Sequence, residues 1–455
     1  MDSKKQYEAK KEQLINQFLE LKKQGKVGLE KSYSNLFRPR ETKATNKINV
    51  KSFNKVIHID TIGKIAEVEA MTTYEDLVKE TLKYGLLPSV VPQLKTITMG
   101  GAVSGIGIEA SSFRYGLVHE TVSEVEVLLS DGKIVKATRN NEYKDLFLAL
   151  PNSYGTLGYI LKLKVKLVPA KRFVEIKHLR YHDSKKYFED LKILCEKNIY
   201  HKHPETIDFI DGTIFSNNEM YITLGKFVDN SPFVSNYKYM KMYFKSIQIL
   251  TKFDQKDYLK TSEYIWRWDA DWFWCSKHFL MQNMLARFVF GKFMLNSKSY
   301  QKIRKINAKI FDDTFSKKVS KEWIIQDVGI PIENCIKFLN FFIKEIRILP
   351  IWVCPFSSFD KKTIYPLFRN NPKKRYVDFG FWDFVKTNKE PGFYNKKIEK
   401  TVAKLKGLKS LYSSSYYDKK TFWKLYNGKH YFKIKKKYDK ERAFKDLYEK
   451  CVLRN

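Results

Sequence analysis

The sequence predicts an α+β protein in two parts, a first α+β domain ending near residue 172 and a larger aromatic-rich region behind it. Three observations carry this expectation. At 455 residues the chain exceeds what one core usually serves. Up to about residue 170, helical periodicity and strand alternation are mixed around TMGGAVSGIGIEASSFRYGL (98–117), which holds five of the twenty glycines. Beyond about 172 aromatics dominate, and YIWRWDADWFWCS (264–276) places four tryptophans in nine residues.

The elements follow in order. Residues 4–24 put Leu14, Ile15, Phe18 and Leu21 on one helical face closed by Gly25, setting apart an N-terminal amphipathic helix within 1–30. KSYSNLFRPR (31–40) is polar and loop-like. KVIHIDTIGKIAEVEA (55–70) reads as two strands about Gly63. In TTYEDLVKETLKYG (72–85), Thr72 or Thr73 caps a helix with Leu77, Val78 and Leu82 as its stripe, and Gly85 ends it. ETVSEVEVLLSDGKIVKAT (120–138) alternates through Val122, Val125, Val127 and Leu129 to a hairpin turn at Asp131-Gly132. In 143–170 a short apolar helix, a loop with Gly155 and Gly158, and a strand from Tyr159 to Val168 follow one another. Residues 209–227 read as a hairpin about Ser216–Asn218. The basic tail KHYFKIKKKYDKERAFKDLYEK is helical, with an apolar stripe under a solvated face.

The formal net charge is +34, with lysines spread along the whole chain. The spread reads as compositional bias, although such a surface adheres weakly to anionic membranes. Cys195, Cys275, Cys335, Cys354 and Cys451 are far apart, odd in number and never in a CxxC pair. This argues against a disulfide framework or a zinc site and fits a reducing compartment. No HExxH occurs, no metal is expected, and His201 and His203 read as a polar loop. Residues 1–13 are charged, unlike a signal peptide. No apolar run reaches the ~20 residues of a spanning helix. The nearest are FLMQNMLARFVFGKFML (279–295) and IKFLNFFIKEIRILPIWVCPF (336–356), both read as core rather than as lipid-pocket walls or segments dipping into a bilayer. A cytoplasmic or peripheral membrane location is expected.

Gly105, Gly107 and Ala110 fit G-x-G-x-x-[G/A], but no long helix directly follows, so a Rossmann unit does not fit. There is no GxxxxGK[ST]. The remaining readings are a glycine-rich loop laying backbone N–H groups against a bulky anionic cofactor, or a set of tight turns.

The order of these pieces carries a resemblance. LLPSVVPQLKTITMGGAVSGIGIE, then SS-x-x-YGL, EVEVLLSDGKIV and LFLALPNSYGTLGYI resemble the FAD-binding domain of the vanillyl-alcohol oxidase/PCMH flavoprotein superfamily. PIWVCPF (350–356), YVDFG (376–380) and LYSSSYYDKKTFWKLYNG (411–428) narrow this to the Δ24-sterol reductases, FAD enzymes that saturate the sterol side-chain double bond. The resemblance runs from about residue 50 to the C-terminus. It implies a two-subdomain PCMH-type FAD-binding domain at 31–172 and an aromatic-rich α+β cap, or substrate, domain at 173–455. The segment from about 405 to 455 would pack back on the FAD domain.

The resemblance also implies the site. Thr98, Met99, Gly100, Gly101, Ala102, Val103, Ser104, Gly105, Ile106, Gly107, Ile108, Glu109 and Ala110 form the FAD segment. Ser111, Ser112, Tyr115 and Gly116 continue it, and Gly155, Thr156 and Gly158 form the second cofactor loop. Ser34 and Asn35 can hydrogen-bond the pyrophosphate. No His or Cys stands at a convincing attachment position, so FAD is expected to bind non-covalently. Reducing an alkene needs a hydride and a proton, and the proton donor candidates are Glu109, His119, Tyr264, Asp378 and Tyr416. Arg267 pairs with Asp269, holds a nicotinamide phosphate, or is a stacked structural arginine, the reading favoured here; Cys354 is packing. The leading expectation is an FAD-dependent reductase of a sterol-like or isoprenoid double bond, recharged by NADPH. The alternatives are an FAD-dependent alcohol or sugar oxidase, or a non-catalytic basic lipid- or nucleic-acid-binding protein; for the reductase no nucleic acid is expected.

Overall fold

Two antiparallel sheets carry the chain. The structure is a computed structural model and describes residues 3–38, 46–198, 206–303 and 321–453. His201 and His203 lie outside the described residues.

The first sheet has six strands. Its order is Val56–Asp60, Ile65–Glu69, Tyr159–Pro169, Val122–Leu128 and Ile134–Thr138, and Leu86–Pro88 pairs with the far end of Tyr159–Pro169. The local signals land where the sequence puts them. Thr73 accepts a hydrogen bond from Asp76 N and caps the helix Tyr74–Thr81, Gly85 takes the left-handed conformation behind it, and Gly132 turns the hairpin at φ +88°. The helix Ser3–Lys22 buries Tyr7, Leu14 and Phe18 beside this sheet, and the Tyr7 hydroxyl donates to Glu126.

The second sheet has eight strands: Asp257–Lys260, Phe173–Tyr181, Glu219–Val228, Phe209–Ser216, Ile351–Ser357, Arg375–Lys386, Lys321–Pro331 and Leu408–Lys409, in that spatial order. Its faces differ because side chains alternate along a strand. Ile351 and Val353, Phe379 and Phe381, and Ile324 and Val328 point to an outer face, under the helices Ser184–Lys197, Cys335–Glu345 and Phe393–Lys404. Trp352 and Cys354, and Trp382, point the other way into a core shared with the first sheet. The expectation of core for 336–356 thus holds.

The C-terminal helices Gly428–Tyr438 and Leu447–Cys451 return to the first sheet's side of the molecule. Lys435 Nζ donates to Thr156 O, Lys450 Nζ to Tyr154 O, and the Tyr438 hydroxyl to Asp145. Among the described residues no helix is long and apolar enough to cross a membrane, and no group of His, Cys, Asp and Glu could hold a metal ion.

One expectation needs correction. The run 279–295 is core only near its ends, where Met281 and Leu295 are buried. Its helix Met284–Met294 buries only Arg287 and Gly291, and leaves Leu285, Phe288, Val289, Phe290 and Phe293 exposed. The inward residue is the charged one: Arg287 pairs with Asp271 (2.6 Å) and caps the carbonyls of Met281, Tyr239 and Lys241. Arg267 does not pair with Asp269, whose oxygens take the backbone amides of Lys95 and Ser297. It pairs instead with Asp211 at 2.8 Å, which also accepts from the indoles of Trp268 and Trp352, and it lies over the Tyr264 ring. This buried knot is structural, as favoured for Arg267 from the sequence.

Candidate functional site

A cavity of about 1140 Å³ lies between the two sheets. That volume is above the ~300–1000 Å³ that holds one drug-sized ligand, so it suits a large cofactor together with a second molecule.

One wall is main chain. Thr98, Gly100, Gly101, Ala102 and Ser104 to Glu109 line it, from the helix Met99–Gly105 and the loop that leaves it through Ile106 at φ +62°. Tight packing behind this wall leaves no room for a side chain at Gly107. A Cβ there would lie 2.6 Å from Val118 and 3.1 Å from Pro92. A second loop, Leu150–Gly158, adds Ser153, Tyr154, Gly155 and Gly158. Its path needs positive φ at Asn152, Tyr154, Gly155 and Gly158, and at Gly158 a Cβ would stand 2.9 Å from Leu128 O.

Basic residues gather on the same cavity. Lys26, Lys31, Arg38, Lys47, Lys445 and Lys450 all line it. Arg38 is buried, lies over the Tyr154 ring and donates to Leu411 O, and its Nη2 has no partner. Ser153 Oγ, Gln93 Oε1 and Asp327 Oδ1 are likewise buried without partners in residues of the same lining. Unpaired buried polar atoms are uncommon and call for an explanation. A ligand carrying both phosphate and heteroaromatic hydrogen-bonding edges would supply one, so the residues present fit FAD.

The opposite wall is aromatic. Phe273 lies 4.3 Å from Trp382 between ring centroids and 5.5 Å from Trp352. Two carboxyls also line the cavity, Glu109 at the end of the main-chain segment and Asp327. Glu109 is 4 % exposed; its Oε1 accepts from Gln93 Nε2 and from Ala110 N, with Arg267 3.7 Å away. Burial pushes this carboxyl up to about 8, against the opposing pull of Arg267. Asp327 lines the cavity with Tyr412, whose hydroxyl accepts from Trp382 Nε1 at 3.1 Å. Burial pushes Asp327 up to about 7.

The proton-donor candidates named from the sequence separate here. Glu109 and Tyr416 line the cavity; His119, Tyr264 and Asp378 do not. His119 is buried with its ring 4.2 Å from Tyr365, and burial holds its pKa down at about 3, so at neutral pH it holds no imidazolium proton. Tyr264 is packed under the Arg267 guanidinium. Asp378 stands one register step behind Asp327: strand pairing sets Asp378 opposite Gly329 and Asp327 opposite Gly380. Burial and the Asp327 charge raise its pKa well above the carboxylate range.

The cofactor candidates separate too. Ser34 and Asn35 line the cavity, but Asn35 is engaged with Thr96 and Gln301. Met99, Val103 and Ala110 are buried behind the wall. Ser111, Ser112, Tyr115, Gly116 and Thr156 are also off it. Ser111 donates to Ser89 O, Ser112 Oγ accepts from Glu109 N, Gly116 packs on Glu120, and Thr156 donates to Ser153 O. Sequence reasoning missed Arg38, Phe273, Asp327, Tyr412 and Trp382. Arg38, Phe273 and Tyr412 sat in quoted stretches (31–40, 264–276 and 411–428), as did Trp352 in PIWVCPF, but nothing local marked them as cavity residues, and Asp327 and Trp382 lay in none.

Comparison with known proteins agrees with this geometry. Residues 32–138 match the FAD binding domain family model. The chain is 27% identical over 419 residues to the Delta(24)-sterol reductase of Homo sapiens, covering 90% of this chain and 78% of that protein. It is 26% identical over 440 residues to the Delta(24)-sterol reductase of Arabidopsis thaliana, covering 89% and 76%. A shorter match, 29% over 163 residues and 36% of this chain, is to Cytokinin dehydrogenase 7 of Oryza sativa subsp. japonica. The chain thus carries a PCMH-type FAD-binding domain in a mixed α+β fold, and the resemblance to Δ24-sterol reductases is borne out. Together these findings support an FAD-dependent oxidoreductase.

Proposed function

From that likeness we propose that the chain reduces a carbon–carbon double bond of a sterol-like or isoprenoid lipid, with NADPH returning electrons to a non-covalently bound FAD. One observation carries the reading: a main-chain wall that fits FAD and an aromatic wall face one cavity, with the carboxyls of Glu109 and Asp327 in its lining. The backbone at Thr98, Gly100–Ala102 and Ser104–Glu109 would hold the cofactor, with Ser153, Gly155, Gly158 and Arg38. When bound, FAD supplies hydride chemistry. Phe273, Trp352 and Trp382 would pack a flat apolar substrate and keep water out. Glu109 Oε1 is taken up by two N–H donors, so the proton it keeps at neutral pH sits on Oε2, and we assign that atom as the acid. Asp327, whose carboxyl burial also raises, is a second proton reservoir on the same cavity.

The test is anaerobic. The purified protein should be yellow, NADPH should bleach the flavin band, and a 24-unsaturated sterol should restore it. A band that NADPH leaves unchanged, or that an alcohol bleaches instead, rules the reductase out.

A further inference from the structure

The helix Met284–Met294 presents an apolar surface that the fold does not cover. Leu285 (73 % exposed), Phe288 (64 %) and Phe293 (79 %) stand out from it, with Met284, Val289 and Phe290 beside them and Leu280 just ahead. Scattered exposed apolar residues are ordinary, but seven large ones within fourteen residues are not. The helix is firmly seated, because Arg287 is fully buried and ties it to Asp271 and to the carbonyls of Tyr239, Lys241 and Met281. The apolar residues therefore face outward as part of the built structure.

Residues 272–303 contain no Asp or Glu, and neither do residues 230–253, which supply the Tyr239 and Lys241 carbonyls. Cations outnumber carboxylates around the helix, and of the carboxylates that reach these segments Asp271 is paired with Arg287, Asp383 with Lys277 and His278, and Glu263 with Lys238. Lys241 and Lys292 are exposed. The apolar ridge also adjoins the cavity: His278 and Phe279, directly ahead of Leu280, line it, and the exposed Trp323 packs 5.5 Å from His278 at its rim.

We propose that this helix docks the protein on a lipid bilayer bearing anionic headgroups, with Leu285, Phe288 and Phe293 entering the interface and the cavity rim at His278–Phe279 brought to the lipid surface. A helix with exposed apolar residues, an excess of cations around it and its neighbouring carboxylates Asp271 and Asp383 already paired matches the chemistry of an anionic membrane surface. Docking stands on the helix alone; only the passage of substrate from lipid into the cavity rests on the proposed reaction.

The experiment is flotation with vesicles of phosphatidylcholine alone or with about 30 % phosphatidylserine. Wild type should float with the anionic vesicles, and about 0.5 M salt should weaken binding. The variant Leu285→Ser/Phe288→Ser/Phe293→Ser should lose roughly tenfold or more of the bound fraction. All three side chains are exposed, so its thermal unfolding should match wild type. The paired variant Lys241→Glu/Lys292→Glu should lose the preference for anionic vesicles. Undiminished flotation of the triple variant overturns the proposal, as does wild type that floats with neither vesicle. A wild-type dimer that the triple variant splits, with no flotation, assigns the ridge to a second copy of the chain and also overturns it. None of these outcomes depends on NADPH oxidation, so failure here is distinct from failure of the reductase reading.

Discussion

Replacing Glu109 with Gln should flatten the pH dependence of stability and stop alkene saturation. In the folded chain the Glu109 carboxyl is raised from its ordinary 4.5 to about 8 by burial. The native state then binds more protons than the unfolded chain between those values, so stability falls as pH rises through that window. The contribution is intact below 4.5 and lost above about 8. At about 1.4 kcal/mol per pH unit, the loss amounts to roughly 5 kcal/mol across the window and about 3 kcal/mol by pH 7. Gln keeps the shape and the oxygen that accepts from Gln93 and Ala110 but cannot ionise. Denaturant unfolding of both proteins from pH 5 to 8 is the assay. Asp327 and Glu120, each raised to about 7 by burial, titrate in both proteins and cancel in the difference. The variant should gain on wild type by several kcal/mol as pH rises, and two curves parallel to within about 1 kcal/mol would refute the reasoning. In the same variant, NADPH bleaching should survive while sterol reoxidation of the flavin slows by about 10²-fold or more.

Further outcomes follow from the same geometry. Gly158→Ala puts a Cβ 2.6 Å from Val127 at φ +142°, and should cost about 2–3 kcal/mol in unfolding experiments and lower flavin retention. Arg287→Met leaves the buried Asp271 carboxylate unpaired and should cost about 3–5 kcal/mol by denaturant unfolding. Asp327→Asn removes a cavity carboxyl that titrates near 7, so a pH titration of the flavin absorption band should lose its inflection there.

The local signals read correctly because they are local. The Asp131-Gly132 turn, the Thr73 cap and the hairpin about Ser216–Asn218 each depend on a few adjacent residues. The glycine cluster lines one wall of the cavity, but the sequence did not show which of its residues face inward: the chain bends after Glu109, and Ser111–Gly116 leave the cavity surface. Asp378 and Asp327 show what a sequence cannot give. Both lie on the same face of neighbouring strands, and the register alone decides that Asp327 reaches the cavity. The run 279–295 misled for a related reason. Its hydrophobicity suggested burial, whereas one Arg287–Asp271 pair, sixteen residues apart, turns the helix over.

The sequence by itself determined an α+β chain with a glycine-rich main-chain segment, a basic balance, an aromatic second half and a likeness to Δ24-sterol reductases, because these reside in composition, spacing and short motifs. The tertiary structure decided which carboxyls share the cavity, which polar atoms await a ligand and which apolar residues are left outside. Those depend on strand register and on side chains brought together from hundreds of residues apart, where burial sets a carboxyl's charge and a single ion pair sets the face of a helix.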